Sequence, residues 1–265
     1  MTERPLRIVQ ISDIHLFLDK KKSLLGVNTL ESFSEIIQLL KKDPSPPDAI
    51  LLTGDLSQDR TEDSYRYVAD AFKSLPTPIY FIAGNHDDAD LMNRVYPYHT
   101  ISDLKNIILK EWNIILLNSQ KPGAVEGYLD CAELDFLKQC LIRYPKHHAI
   151  IAFHHQPISV GSQWLDNLGL TNAEEFWDVI GAFSQVRAVL FGHVHQQLEG
   201  ERNGIPYYSV PSTCIQFKKN SDEFALDNIG PGYRWLDLYS DGELKTAIER
   251  LDHYVGVFDK DAKGY

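Results

Sequence analysis

Five short runs of nearly unbroken apolar residues, IVQIS (8–12), AILLT (49–53), PIYFIA (78–83), AIIAF (149–153) and AVLF (188–191), set the strongest limit on how this chain can fold. Hydrophobicity that continuous marks strands buried on both faces, as in a parallel sheet covered by helices. The segments between them have helical spacing. Leu30, Phe33, Ile37 and Leu40 form one stripe, opened by an Asn28/Glu31 capping box and closed by Pro44. Tyr65, Val68, Ala69 and Phe72 form a second, ended by Pro76, and Phe176, Val179, Ile180 and Phe183 a third, with Asn172 and Glu175 in the same capping relation. Strands alternating with helices predict an α/β fold. NIILKEWNIILLN (106–118), GIPYYSVPS (204–212), YRWLDLYS (233–240) and ELKTAIERL (243–251) read instead as strands joined by short turns, which predicts a second sheet.

Layered α/β folds reach 265 residues around one core, so a single domain over 1–265 is expected, with the tail after about 252 peripheral. DPSPPD (43–48) and that tail are the candidate mobile segments. A net charge of −11 argues against nucleic acid or an anionic membrane as a partner, since both need clustered Lys and Arg; KKK at 20–22 is a solvated loop. No run approaches a membrane span and the N-terminus has no secretory h-region, so a cytoplasmic protein is expected. Cys131, Cys140 and Cys214 contain no CxxC pair and read as small buried hydrophobes.

Each of the five runs ends in metal-ligand side chains. SDIH supplies Asp13 and His15, TGD supplies Asp55, GNHD supplies Asn85 and His86, FHHQP supplies His154 and His155, and GHVH supplies His193 and His195. Ligands of α/β sheets bind at the carboxyl ends of strands, so five such endings can converge on one crevice. Imidazole mixed with carboxylate suits iron, manganese or zinc, whereas magnesium and calcium prefer oxygen. The histidines of GHVH, two residues apart, would share one side of an extended backbone. Asp87 is expected to orient the GNHD turn, and His155 to pack behind the ligands.

The series D-x-H, GD, GNHD, HH and GHVH resembles the calcineurin-like metallophosphoesterases. That resemblance implies a four-layer α/β/β/α sandwich of two mixed sheets flanked by helices, built around two divalent metal ions. It implies Asp13, His15 and His195 on one ion, Asn85, His154 and His193 on the other, and Asp55 bridging them. A bridge of this kind holds cations about 3.5–4 Å apart and acidifies a shared water into the nucleophile, so no Ser or Cys nucleophile is needed. Two dications less the carboxylates of Asp13 and Asp55 leave about +2, so an acidic chain can still take an anionic substrate. His86 is expected to act on the substrate, contacting a phosphate oxygen or protonating the leaving alkoxide.

GDLSQDR displaces the Asp-Arg pair of the phosphoprotein phosphatase motif by one residue, and GNHD replaces their GNHE. GSQWLDNLGLTN (161–172) and the stretch 210–238 are instead similar to the bacterial class III 3′,5′-cyclic nucleotide phosphodiesterases, the group that cleaves cyclic AMP. Gln156 departs from the Pro or His common there and bears on local pocket shape. The likeness implies hydrolysis of 3′,5′-cyclic AMP to 5′-AMP, with nucleotide contacts from His15, Asp55, Asn85, His86 and His195. Trp164 is a candidate for stacking on the base. Two alternatives stay open: a broad phosphodiesterase for 2′,3′-cyclic nucleotides or glycerophosphodiesters, and a non-catalytic interaction module. The second would resemble members that lost catalytic histidines, and His86 argues against it.

Overall fold

Strand Leu6–Ile11 lies parallel to Ala49–Thr53, which lies parallel to Ile79–Ile82, with Ile8 opposite Ala49 and Ile50 opposite Ile79. The computed structural model describes residues 4–253, 259 and 262–264. In the first of two six-stranded sheets, Ile101–Ser102 extends one edge and the antiparallel pair Gly232–Leu238 and Leu244–Arg250 the other. The second sheet has a parallel centre of Trp112–Leu116, His148–Ala152, Val186–Phe191 and Ile205–Ser209, with antiparallel Asn106–Leu109 and Glu199–Arg202 at its edges. Both sheets are therefore mixed.

The five apolar runs thus form strands, divided three and two between the sheets. One expectation needs correcting: the strands over 233–240 and 243–251 do not belong to the second sheet but complete the first, with Leu6 opposite Leu238. An apolar run reports that its faces are covered, not which sheet it joins.

Ile8, Leu51 and Leu236 of the first sheet share a core cluster with Ile114, Ile151 and Leu190 of the second. The outer face of the first sheet is closed by helices Thr29–Lys42 and Glu62–Phe72, whose Phe33, Ile37, Val68 and Phe72 pack on Val9, Ile50 and Leu52. Helices Cys131–Arg143 and Ala173–Gly181 cover the second sheet through Leu134, Leu137, Phe176 and Ile180. The order is helix, sheet, sheet, helix. Burying one such side chain contributes roughly 1.5–3 kcal/mol, so this long apolar interior outweighs the buried polar groups beneath the strand ends.

Asn28 caps the first helix by accepting from the Glu31 N–H at 3.0 Å. Asn172 does not cap: its amide is drawn off to both backbone groups of Leu129 and to the Glu175 carboxylate. Cys140 and Cys214 are buried, but Cys131 is exposed, because it opens its helix on the solvent side beside the Asp130 cap. In the 43–48 loop, Asp48 accepts from the Arg7 N–H and from Arg4. Most of the tail after residue 253 lies outside the described residues. Among the described residues no helix is long and apolar enough to cross a membrane.

Candidate metal centre

Both sheets deliver side chains to one place. Below it, the Gln10 amide joins the sheets by donating to Thr53 Oγ1 at 3.0 Å and to the Phe191 carbonyl at 3.2 Å. Just past the strand ends the backbone turns sharply, with φ of +57° at Asp13, +53° at His15, +53° at Asp55, +67° at His193 and +46° at His195. Left-handed backbone at residues other than Gly costs on the order of 1–3 kcal/mol each and clusters at functional sites. GHVH is therefore not extended, contrary to expectation: its strand ends at Phe191, and the two histidines turn to different partners. His193 Nδ1 lies 3.3 Å from His154 Nε2, whereas His195 Nε2 lies 3.2 Å from His15 Nε2 and 3.4 Å from Asp13 Oδ1.

The predicted ligands converge. Asp13, His15 and His195 offer donor atoms within 4.8 Å of one another, as do Asp13, Asp55 and His154. His154 Nε2 is 3.2 Å from both Asn85 Oδ1 and Asp55 Oδ2, so Asp55 stands between the two groups. All seven residues are at most 7% exposed. His86 is only half-buried; its ring stands edge-on to His15, 5.0 Å between centroids, and borders an open cavity.

The outer partners fix which nitrogens face inward. His15 Nδ1 donates to Gln58 Oε1 at 2.6 Å, His154 Nδ1 to the Thr53 carbonyl at 2.8 Å and His195 Nδ1 to the Ile215 carbonyl at 3.0 Å. Those oxygens only accept, so each ring is held with Nε2 turned into the cluster. Nε2 of His15 and Nε2 of His195 approach to 3.2 Å, a spacing that a shared cation suits. His193 Nε2 is buried with no hydrogen-bond partner in the structure. Nitrogen with carboxylate is the donor set of iron, manganese or zinc, and the buried cluster fits such ions.

Burial pushes His15 down to about 3, and burial with the neighbouring imidazoles pushes His193 well below its usual range. Burial opposes charge on His154 as well, but Asp55 and Asp13 hold it up at about 9. Both carboxyls sit below their ordinary range despite burial, Asp13 held by His195 and His154, and Asp55 by His154 and His86.

Supporting residues complete the site. Asp87 accepts from the N–H groups of Gly84, Leu56 and Ser57 at 2.9–3.0 Å and so ties the GNHD turn to the GD turn. His155 has both ring nitrogens engaged, by Ser119 Oγ at 2.8 Å and the Val125 carbonyl at 3.0 Å, so it packs behind His193 and braces a loop. Sequence reasoning missed Arg60, which donates to the Asn85 and His86 carbonyls at 3.0 Å each. It also missed Gln58 and Gln120; Gln120 Nε2 donates to the Gly84 and Asp87 carbonyls at 2.8 Å. The only trace, for Gln58 and Arg60, was the GDLSQDR motif; Gln120 left none. A Cβ on Gly84 would meet Asp55 Oδ1 at 2.2 Å, and one on Gly54 would meet His154 Nδ1 at 2.4 Å, so GD and GN need glycine there.

Curated relatives match nearly end to end. The chain is 38% identical over 266 aligned residues to the 3′,5′-cyclic adenosine monophosphate phosphodiesterase CpdA of Pseudomonas aeruginosa, covering 100% of this chain and 97% of that one. It is 40% identical to a 3′,5′-cyclic-nucleotide phosphodiesterase of Nostoc sp., covering 96% and 95%. Among solved structures, a dimetal phosphatase from Danio rerio superposes with a TM-score of 0.66 at 11% identity, over 94% of this chain and 99% of that one, a likeness of fold. The sequence profile of the calcineurin-like phosphoesterases matches residues 6–197, and with these full-length relatives the chain belongs to that family.

Proposed function

We propose that this protein is a metal-dependent phosphodiesterase that opens 3′,5′-cyclic AMP to 5′-AMP in the cytoplasm. The observation that carries the reading is the buried convergence of three imidazole Nε2 atoms, each oriented by an oxygen behind it, on the carboxylates of Asp13 and Asp55. The identity of full-length relatives named for this reaction supports the substrate.

In this reading Asp13, His15 and His195 hold one divalent cation, Asn85, His154 and His193 hold the second, and Asp55 serves both; manganese or iron suits the set best, and zinc is compatible. When bound, the two ions supply Lewis-acid polarisation of the phosphate and an acidified water for in-line attack. The protein positions the diester: His15, Asp55, Asn85, His86 and His195 surround the phosphate, and an imidazole nitrogen of His86 delivers a proton to the ribose 3′ oxygen as its bond to phosphorus breaks. The backbone N–H of His86 donates to Asp55 Oδ1 at 2.8 Å, so this histidine is registered against the residue that would serve both ions.

The cavity beside His86 is about 1430 Å³, larger than the roughly 300–1,000 Å³ typical of small-molecule sites, and this favours a broad-diester reading as the second choice. The experiment offers manganese-loaded protein 3′,5′-cyclic AMP, 2′,3′-cyclic AMP and an aryl phosphodiester, with products separated by chromatography. The proposal requires 5′-AMP from the first, abolished by a chelator. Cleavage of the aryl diester alone would install the broad reading in its place.

A further inference from the structure

One cavity is lined both by His86, Asn85 and His193 and by Trp164, Phe217 and Phe224. The two sets are linked: the Phe217 ring stacks on His195 at 4.2 Å and 12°, and Trp164 meets Phe217 at 5.0 Å and 78°. Trp164 also packs edge-on against Phe224 at 5.1 Å. An aromatic wall therefore begins one ring beyond a residue of the metal cluster.

We infer that this wall, with Trp164 at its centre, is a nucleobase subsite that holds a purine ring while the phosphate lies at the metal cluster; the inference rests on the phosphodiesterase reading above. Three further observations decide the class of ligand. First, the indole N–H of Trp164 is buried with no hydrogen-bond partner, although buried indoles ordinarily have one. That polar edge is enclosed in protein, so what Trp164 offers the cavity is its apolar ring surface, which suits a stacked base. Second, the wall is rigid. Trp164 sits in the short helix Gln163–Asp166, where Asp166 accepts from the Val160 N–H and the Ser159 hydroxyl at 2.7 Å each. The Gln156 amide donates to the Leu165 carbonyl at 2.6 Å, so the residue that departs from the family pattern braces the helix bearing the tryptophan. Third, the loop bearing Lys121, Gly123 and Val125 lines the same cavity and is itself anchored, through Val125 to His155 and through Gln120 to the GNHD turn. An aromatic wall and an anchored loop that line one cavity suit a flat ring. Asp88, Asp90, Asp222 and Glu223 line the cavity together with Arg60, Lys121 and Lys263, so its walls carry both signs of charge.

The test measures calorimetric affinities of manganese-loaded protein for 5′-AMP and for ribose 5-phosphate, which lacks only the base. The same preparations are assayed for turnover of cyclic AMP. Wild type should prefer AMP about tenfold or more, the scale of one base–aromatic stack. Trp164→Ala should bring the ratio close to one and raise KM for cyclic AMP by a similar factor with a smaller change in kcat. Trp164→Phe, which keeps an aromatic ring but loses the pyrrole half of the indole, should give an intermediate ratio and guards against an alanine variant that does not fold. An AMP preference that survives in both variants overturns the subsite while the phosphodiesterase reading stands. If wild type neither binds AMP nor opens cyclic AMP, the phosphodiesterase reading falls and takes the subsite with it.

Discussion

The backbone N–H of His86 donates to Oδ1 of Asp55 at 2.8 Å, while Oδ2 of the same carboxylate faces His154 Nε2 at 3.2 Å. One aspartate thus locks the loop that presents a cavity-facing imidazole and also stands at the middle of the metal cluster. Because the lock is a backbone bond, it survives loss of the His86 side chain. His86→Ala should therefore lower kcat by roughly 10²–10⁴-fold, the scale of a lost general acid. Metal content by elemental analysis should remain that of wild type; a parallel fall in metal and rate would show that His86 serves the cluster instead.

Arg60 holds the other side of the same turn, with Nε and a terminal nitrogen each 3.0 Å from the His86 and Asn85 carbonyls. Lysine cannot reproduce that planar fork. Arg60→Ala should cost about tenfold in kcat through a displaced His86, with Arg60→Lys recovering only part of it, because small misplacements of a catalytic group are expensive in rate. Steady-state kinetics on folded protein decides this, and wild-type kcat in both variants would remove Arg60 from the positioning of the turn.

Gly54 has φ of +96° and no room for a Cβ beside His154 and Gly84. Gly54→Ala should lower the thermal midpoint and reduce metal binding together, since the added methyl meets the His154 ring and the strained backbone at once. Differential scanning fluorimetry with and without added manganese reads both: wild type should gain stability from the ion by mass action, and the variant should gain less.

The three cysteines should separate by reactivity. Cys131 is exposed, Cys140 is buried, and burial pushes the fully buried Cys214 up to about 12. Since the thiolate is the reactive form, a native thiol titration should find one fast group and unfolded protein all three. Fast modification of Cys214 in native protein would contradict its place behind Asp13.

The residues that meet in the cluster were legible because each is written directly after an apolar run, and such runs end at the same edge of their sheets. Asp13, Asp55 and Asn85 come from one sheet and His154, His193 and His195 from the other, so only a fold with both sheets side by side unites them. What the sequence hid depends on contacts between loops. Gln58, Arg60 and Gln120 act through amide and guanidinium groups on backbone or imidazole atoms of other segments, and nothing local to them reports that pairing. Asp and His enter the left-handed region more often than most residues, but residue type alone does not place such turns, so GHVH read as extended although His193 and His195 are left-handed. The hairpin over 232–250 was visible as strands, yet its sheet was not, because its burial is compatible with either.

The most direct measurement strips the protein with a chelator, returns manganese in steps, and follows bound metal per chain alongside turnover of cyclic AMP. Two ions per chain, with activity appearing as the pair fills and 5′-AMP as the product, is the result that the proposed assignment, six buried side chains divided around Asp55, requires. Full activity in metal-free protein, or saturation at one ion per chain, would contradict it.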